Sequence, residues 1–316
     1  MLEKWITPSL FKGLQTTDEY SFCVETAATK HASLKHHRDT FITKLDFEWL
    51  AQNKINAVRI PVGYWALEKD DPYINCVVQL DQAFRWAAEL GMKVIIDLHG
   101  APGSQNGQDH SGKTGSIEWS RSSNVERTIE VIGQLSERYR SQQALWGIEL
   151  LNEPGWDVPL SLLRDYYTKA YAVVRAHCDE KVAVIISDGF RPLKWNNFMG
   201  EPKYKNVILD LHLYQCFTPK DNALDIDGHI EKVYGECARV LTKIDKPAMI
   251  GEWSLGLHPK TFVGMDKDQQ NAALKSYANA QLDVFSKAAG SFFWTYKTED
   301  HPGWNYKDCI NKSLIT

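Results

Sequence analysis

Short apolar runs bounded by turn residues alternate along the chain with longer stretches whose apolar positions recur every three or four residues. The first kind reads as buried strand and the second as amphipathic helix, and their alternation is the βαβ pattern of a parallel sheet. Seven strands are expected, at 55–62 (INAVRIPV), 93–100 (KVIIDLHG), 145–154 (LWGIELLNEP), 181–189 (KVAVIISDG), 207–214 (VILDLHLY), 247–254 (PAMIGEWS) and 290–296 (GSFFWTY). Helices are expected at 39–52, 79–91, 124–140, 160–178, 228–244 and 268–288. Gly91 should close the second of these, and Ser123 or Asn124 should cap the third.

Each expected strand ends in polar or aromatic residues that a closed core would waste: Arg59, Asp97 and His99, Asn152 and Glu153, Asp188, His212 and Tyr214, Glu252, and Trp294. In parallel α/β barrels the C-terminal strand ends converge on one mouth, where the chemistry sits. The fold class read from the pattern is therefore α/β, a (β/α)8 TIM barrel type. Barrels of this type run to about 250 residues or more as one domain. The 316 residues hold no internal repeat and no Pro/Gly-rich linker, so they are read as a single domain, 1–316.

Charge narrows the partners. Lys+Arg 36 against Asp+Glu 40 gives a net charge of −4, and no basic stripe runs along the sequence, which excludes an electrostatic nucleic-acid binder. No segment approaches the ~18 uninterrupted apolar residues of a membrane span, and the opening MLEKWITPSLF lacks the pattern of an export signal, so a cytoplasmic location is the expectation. The six cysteines lie far apart without a CxxC pair, which points to reduced thiols rather than zinc or a disulfide scaffold. His31, His36 and His37 lack carboxylate or cysteine partners at ligand spacing and read as a solvated loop. No metal and no cofactor is expected. The glycine-rich stretch HGAPGSQNGQDHSG (99–112) is too irregular for a dinucleotide turn and lacks the Lys-Ser/Thr of a phosphate loop. Tryptophan, at Trp65, Trp119, Trp195, Trp253, Trp294 and Trp304, fits either sugar stacking or a well-filled core.

Two strand ends carry glutamates in apolar settings, Asn152-Glu153-Pro154 and Gly251-Glu252-Trp253. A carboxylate at the end of a buried strand costs solvation energy unless it is paired or used. Glycosidic hydrolysis uses such a pair. One carboxylic acid protonates the leaving oxygen, and at a separation of about 5 Å the other attacks the sugar directly, with retention of configuration.

The set RIPVGYW, DLHGAPGSQNG, LLNEP, HLYQCF, GEWS and FFWTYKTE, in this order, resembles glycoside hydrolase family 5 and within it the exo-β-1,3-glucanases. The resemblance implies a retaining β-glucosidic hydrolase with Glu153 as acid/base and Glu252 as nucleophile. It implies that Arg59 keeps Glu252 ionised, that Tyr214 donates a hydrogen bond to it, and that Asn152 holds the sugar 2-hydroxyl. His99 and His212 would contact ring hydroxyls or orient their neighbours. Trp294 would be the floor under the non-reducing sugar, and Glu3, in LEKWITPS, would bind that same sugar. Asn106, in GSQNG, belongs with the supporting residues. Phe217 would be one face of an aromatic clamp on the leaving sugar.

Three positions depart from the pattern. The second clamp Phe is replaced by Gln108, and an Asn two residues on is replaced by His110, so hydrogen bonds replace aromatic area on the leaving side. The family's first strand, of the type GVNLGGWLV, precedes LE-x-WITPS and is absent here, which agrees with the count of seven. The gap would expose strand edges at INAVRIPV and GSFFWTY and invite self-association, and Glu3, so near a chain end, is expected to be poorly held. The implied substrate is a β-glucan or β-glucoside, with exo action on β-1,3-linked oligosaccharides and transglycosylation as a companion. β-1,6-Glucanase, β-glucosidase and endo-β-1,4-glucanase share the mechanism, and the alternative of another class is a non-catalytic carbohydrate-binding barrel.

Overall fold

The computed structural model describes residues 2–68 and 70–315, the side chains of residues 27–31, His31 among them, lying outside the description. Two compact units are distinguished: residues 1–189 with 198–207, and residues 190–197 with 208–316.

The first unit runs α1 (Glu19–Thr40), α2 (Lys44–Gln52), β1 (Ala57–Gly63), α3 (Val77–Glu89), β2 (Lys93–Gly100), α4 (Ser122–Tyr139), β3 (Leu145–Glu149), α5 (Leu160–His177) and β4 (Ala183–Ser187). Its four strands pair in parallel in chain order. Ile95 and Ile96 of β2, Ile148 of β3 and Ile185 of β4 are fully buried, as strands flanked by helices require. Helix α5 turns Leu163, Tyr166, Tyr167, Ala170 and Val174 inward, the three- and four-residue spacing of an amphipathic helix. It packs on α4 closely enough that a Cβ on Gly133 would come within 3.1 Å of Val173. Its tyrosines hold the strand ends: Tyr166 donates to the Leu150 carbonyl at 2.6 Å and Tyr167 to that of Ser187 at 3.1 Å.

The second unit runs β5 (Val207–His212, its first residue belonging to the other unit), α6 (Ile226–Lys232), α7 (Ala238–Lys243), β6 (Ala248–Trp253), α8 (Lys267–Phe285), β7 (Ser291–Phe293) and α9 (Tyr306–Asn311). β5 pairs with β6 and β6 with β7, again in parallel. The helix expected at 228–244 is present as α6 and α7 joined by a π-turn at Val233–Cys237.

All seven expected strands are present, several shorter than expected: 181–189 is Ala183–Ser187, 207–214 is Val207–His212 and 290–296 is Ser291–Phe293, so that Asp188, Tyr214 and Trp294 lie just beyond strand ends, and α9 has no expected counterpart. β3 is shorter than expected and stops at Glu149; Leu150 N–H still donates to Ile185 of β4 and Asn152 N–H to Leu98 of β2, and the chain turns away at Glu153, which adopts a left-handed φ of 40°. The helix expected at 39–52 begins at Lys44, where Thr43 and Asp46 form a capping box; α1 ends before it. α1 itself has no expected counterpart, and it places His36 and His37 on a helix rather than in a loop. Finally, neither Ser123 nor Asn124 caps α4. The cap is Arg121, and Asn124 instead donates its amide to the Glu118 carbonyl at 2.8 Å. Gly91, at φ 68°, follows α3 as expected.

Glu3 is not frayed. It is 5 % exposed and bridges Asp18, beside a cluster of Leu2, Phe11, Phe22, Cys23 and Leu34. No helix among the described residues is long and apolar enough to cross a membrane.

Candidate active site

In the first unit the register of β2 on β3 sets Asp97 beside Glu149, and both carboxylates take the guanidinium of Arg59 on β1. Arg59 Nε donates to Glu149 Oε2 at 2.7 Å and Nη2 lies 3.1 Å from Asp97 Oδ2. The same Nη2 donates to Asn152 Oδ1 at 2.8 Å. These side chains are buried, and charges so placed persist because they are paired and hydrogen-bonded.

The Arg59 contact fixes the neighbouring protons. A guanidinium has no acceptor, so Asn152 presents its oxygen to Arg59 and its amide nitrogen to His99 Nε2, 3.3 Å away. His99 Nε2 therefore accepts, and Nδ1–H donates to Asp97 Oδ2 at 2.6 Å. Asn152 Nδ2 commits one proton to His99 and keeps a second. Gln105, fully buried, staples this group: its amide donates to the carbonyls of His99 and Asn152 at 2.7 and 2.8 Å, and its oxygen accepts from Ala101 N–H.

Glu153 follows on a backbone that L side chains rarely adopt. Asn106 Nδ2 donates to its carbonyl at 3.1 Å, and Gly155 N–H donates to Gln105 at 2.9 Å, so the strained turn is gripped on both sides. His110 Nε2 lies 3.5 Å from Glu153 Oε2. The loop carrying His110 is pinned in turn. Ser104 and Ser111 hydroxyls meet at 2.6 Å, Tyr20 N–H donates to Gly112, and Thr114 N–H donates to Asp18.

In the second unit the register of β5 on β6 sets His212 beside Glu252. Tyr214 donates its hydroxyl to Glu252 Oε2 at 2.7 Å, and His212 Nδ1 lies 3.5 Å from the same oxygen. His212 Nε2 is 3.2 Å from Asp210 Oδ2, while Asp210 Oδ1 accepts from Gly251 N–H, one residue before the glutamate. The Tyr214 ring packs against Phe217 and Trp304 at centroid distances of 5.3 and 5.2 Å. Phe217 is 70 % exposed. Trp304 is held flat against the backbone: a Cβ on Gly256 would lie 1.9 Å from its Nε1. Trp294, half-buried, continues from β7 with its N–H on the Trp253 carbonyl. Burial pushes the Cys216 thiol up to about 12, Asp221 adding to the effect, so this cysteine is no nucleophile near neutral pH.

Arg59, His99, Asn106, Asn152 and Glu153 thus gather in the first unit, with Glu3 bridged to Asp18 there, and His212, Tyr214, Phe217, Glu252 and Trp294 belong to the second. Asn106 acts on the Glu153 backbone. Four of the six tryptophans singled out, Trp65, Trp119, Trp195 and Trp253, are core residues at 3 % exposure or less. Glu149, Gln105 and Asp210 have no counterpart among the residues the sequence singles out, and Trp304, for which stacking and core were both open, packs on Tyr214. Glu149 is hidden in the apolar run LWGIELL, and its one signal is an acid inside a strand four residues before Glu153.

A parallel α/β fold whose strand ends carry buried carboxylates with arginine, histidine and tyrosine partners is the architecture of a glycoside hydrolase barrel. The profile of the family described as Cellulase (glycosyl hydrolase family 5) matches residues 18–299, and the chain belongs to that family. Its fold is the (β/α)8 TIM-barrel type, with seven strands among the described residues. The chain is 37 % identical to the probable glucan 1,3-beta-glucosidase A of Aspergillus fumigatus, covering 100 % of this chain and 84 % of that protein. It is 36 % identical to the glucan 1,3-beta-glucosidase of Blumeria graminis, with the same coverage. Among solved structures, the rutinosidase from Aspergillus niger superposes with a TM-score of 0.84 at 22 % identity, covering 99 % of this chain and 94 % of that one, a likeness of fold.

Proposed function

We propose that this glycoside hydrolase releases glucose from the non-reducing end of β-1,3-glucan oligosaccharides, with retention of configuration through a covalent glycosyl-enzyme intermediate. The observation that carries this reading is the 37 % identity, over the whole chain, to a protein named as a glucan 1,3-beta-glucosidase. Glu153 protonates the leaving oxygen and then, as carboxylate, activates water; Glu252 attacks the anomeric carbon. Tyr214 orients the Glu252 carboxylate, and the uncommitted amide proton of Asn152 serves the sugar 2-hydroxyl, where hydrogen bonds strengthen in the transition state. Trp294 and Glu3 bind the non-reducing sugar. A second sugar that intercepts the intermediate in place of water yields a transglycosylation product.

On this reading residues 1–316 act as one catalytic domain, since each unit carries one of the two glutamates. Copies of the chain associate through the end strands β1 and β7, where Ala57, Val58, Ile60 and Pro61 of the first and Ser291–Phe293 of the second are at least partly exposed; a monomeric mass by light scattering would count against that part.

The test is turnover of β-1,3-, β-1,6- and β-1,4-linked glucans with the product anomer followed by NMR. Glucose alone, released as the β-anomer from β-1,3 chains, is the expected result; mixed oligomers or the α-anomer overturn exo action or retention. Glu252→Gln should abolish turnover with the fold intact, and azide should rescue Glu252→Ala with formation of the α-glucosyl azide. Wild-type rates in Glu252→Gln would remove the nucleophile assignment.

A further inference from the structure

The His110 ring has a polar edge that the protein engages only at long range. Its side chain is 23 % exposed, and its Nε2 stands 3.5 Å from Glu153 Oε2, at the outer limit of a hydrogen bond. Among the described residues the ring makes no shorter polar contact; its other neighbour is the His99 ring, packed edge to face at 5.5 Å. The backbone that carries it is held all the same. His110 sits in the short 3-10 turn Asp109–Ser111, its backbone N–H donating to Asp109 Oδ1 and Ser111 Oγ donating to the Gln108 carbonyl at 2.7 Å. An imidazole with hydrogen-bonding capacity to spare, carried on a held turn, therefore lies beside the carboxyl assigned to leaving-group protonation.

Geometry limits what such a ring can touch. A general acid works at about 2.6–3.2 Å from the oxygen it protonates, so the departing oxygen lies within about 7 Å of His110 Nε2. Hydroxyls flanking that oxygen on a departing sugar fall in the same range. The neighbouring Gln108 side chain is exposed on the same loop, and it stands where the resemblance places an aromatic ring.

We propose that His110 is a specificity-determining residue that hydrogen-bonds a hydroxyl of the departing sugar, so that this chain selects its leaving group by polar contacts on the Gln108–His110 loop. The inference rests on Glu153 being the acid/base. A site built around a hydroxyl discriminates strongly against an analogue that lacks it, because its polar group is then left unpaired.

The test compares a β-1,3-linked glucose disaccharide with methyl β-glucoside, using the full chain. Both leave as unactivated alkoxides and need the same acid assistance, but only the first offers hydroxyls on the departing group. In His110→Ala the ratio of kcat/KM for the disaccharide to that for the methyl glucoside should fall tenfold or more, mainly through KM. His110→Asn, which keeps a hydrogen-bonding group, should recover part of the ratio. An equal loss on both substrates would show that His110 acts only through Glu153 and overturns the proposal, as does an unchanged ratio. The acid/base reading is scored separately: Glu153→Ala at wild-type rates on methyl β-glucoside sinks that reading, and the proposal with it, whatever the His110 ratio.

Discussion

Arg59 Nε and Glu149 Oε2 meet at 2.7 Å where the two side chains are 3 % and 0 % exposed. Removing one partner of a buried pair strands the other in a medium that cannot solvate it, at about 3–5 kcal/mol. Asp97 still faces the guanidinium after Glu149→Ala, so the loss of unfolding free energy in urea titrations should be smaller, about 1–3 kcal/mol for the donor left without its partner. The substitution should also lower kcat/KM, because Arg59 holds Asn152 through the same guanidinium. A variant with wild-type stability would show that Arg59 does not depend on this carboxylate.

The Tyr214 hydroxyl touches Glu252, whereas its ring packs on Phe217 and Trp304. Tyr214→Phe deletes the first contact and keeps the second. Hydrogen bonds to charged groups contribute about 1.5–3 kcal/mol, so kcat/KM should fall at least about tenfold while the thermal midpoint stays near wild type. A large midpoint shift with kcat/KM retained would make Tyr214 a packing residue.

Gly256 lies flat under Trp304, and no side chain fits between them. Gly256→Ala should push the indole away, with about 1–3 kcal/mol of destabilisation from overpacking. The indole emission maximum should shift, and KM for oligosaccharides should rise. Unchanged emission and KM would show that the indole's seat plays no part in binding.

His229 is fully buried, with Nδ1 2.9 Å from Gln215 Oε1 and Nε2 3.2 Å from Thr261 Oγ1. Burial pushes its pKa below the ordinary 6.5; Lys232 adds to the shift, while Asp221 and Asp225 oppose it. As pH falls through 6.5 the unfolded chain takes up this proton before the folded one does, so folding stability declines on the acid side. Above 6.5 both states are neutral and the effect vanishes. Urea unfolding at pH 7.5 and 5.5 should show a larger acid loss in wild type than in His229→Gln. Equal losses would assign the acid sensitivity to other groups.

The strands were legible because burial on both faces leaves a nearly continuous apolar run, and the strand-end polar residues stood out against it. Helix α1 escaped because its apolar positions, Phe22, Cys23 and Leu34 among them, are diluted by lysines and histidines; only the cap of Asp18 on Ser21 N–H marks its start. The catalytic candidates were visible as acids in apolar settings, whereas their partners were not. Glu149 and Asp210 alternate with isoleucine and leucine inside strands, and nothing in one strand reveals which charge a neighbouring strand brings. Gln105 looked like a loop residue, yet it is fully buried because three backbone groups converge on its amide. Trp304 could not be told from the core tryptophans, since its position depends on the missing Cβ of Gly256, a relationship between residues 48 apart.

The left-handed backbone at Glu153 sets two kinds of selection against each other. Glycine is the residue that occupies such a φ without steric cost, and a glutamate there is sterically disfavoured by order of 1–3 kcal/mol. Drift toward greater stability alone would erase the carboxyl at this position. The amide of Asn106 and the carbonyl of Gln105 are therefore more than scaffolding: they hold the turn in the conformation that the chain would otherwise avoid, and so offset part of the cost of keeping an acid there.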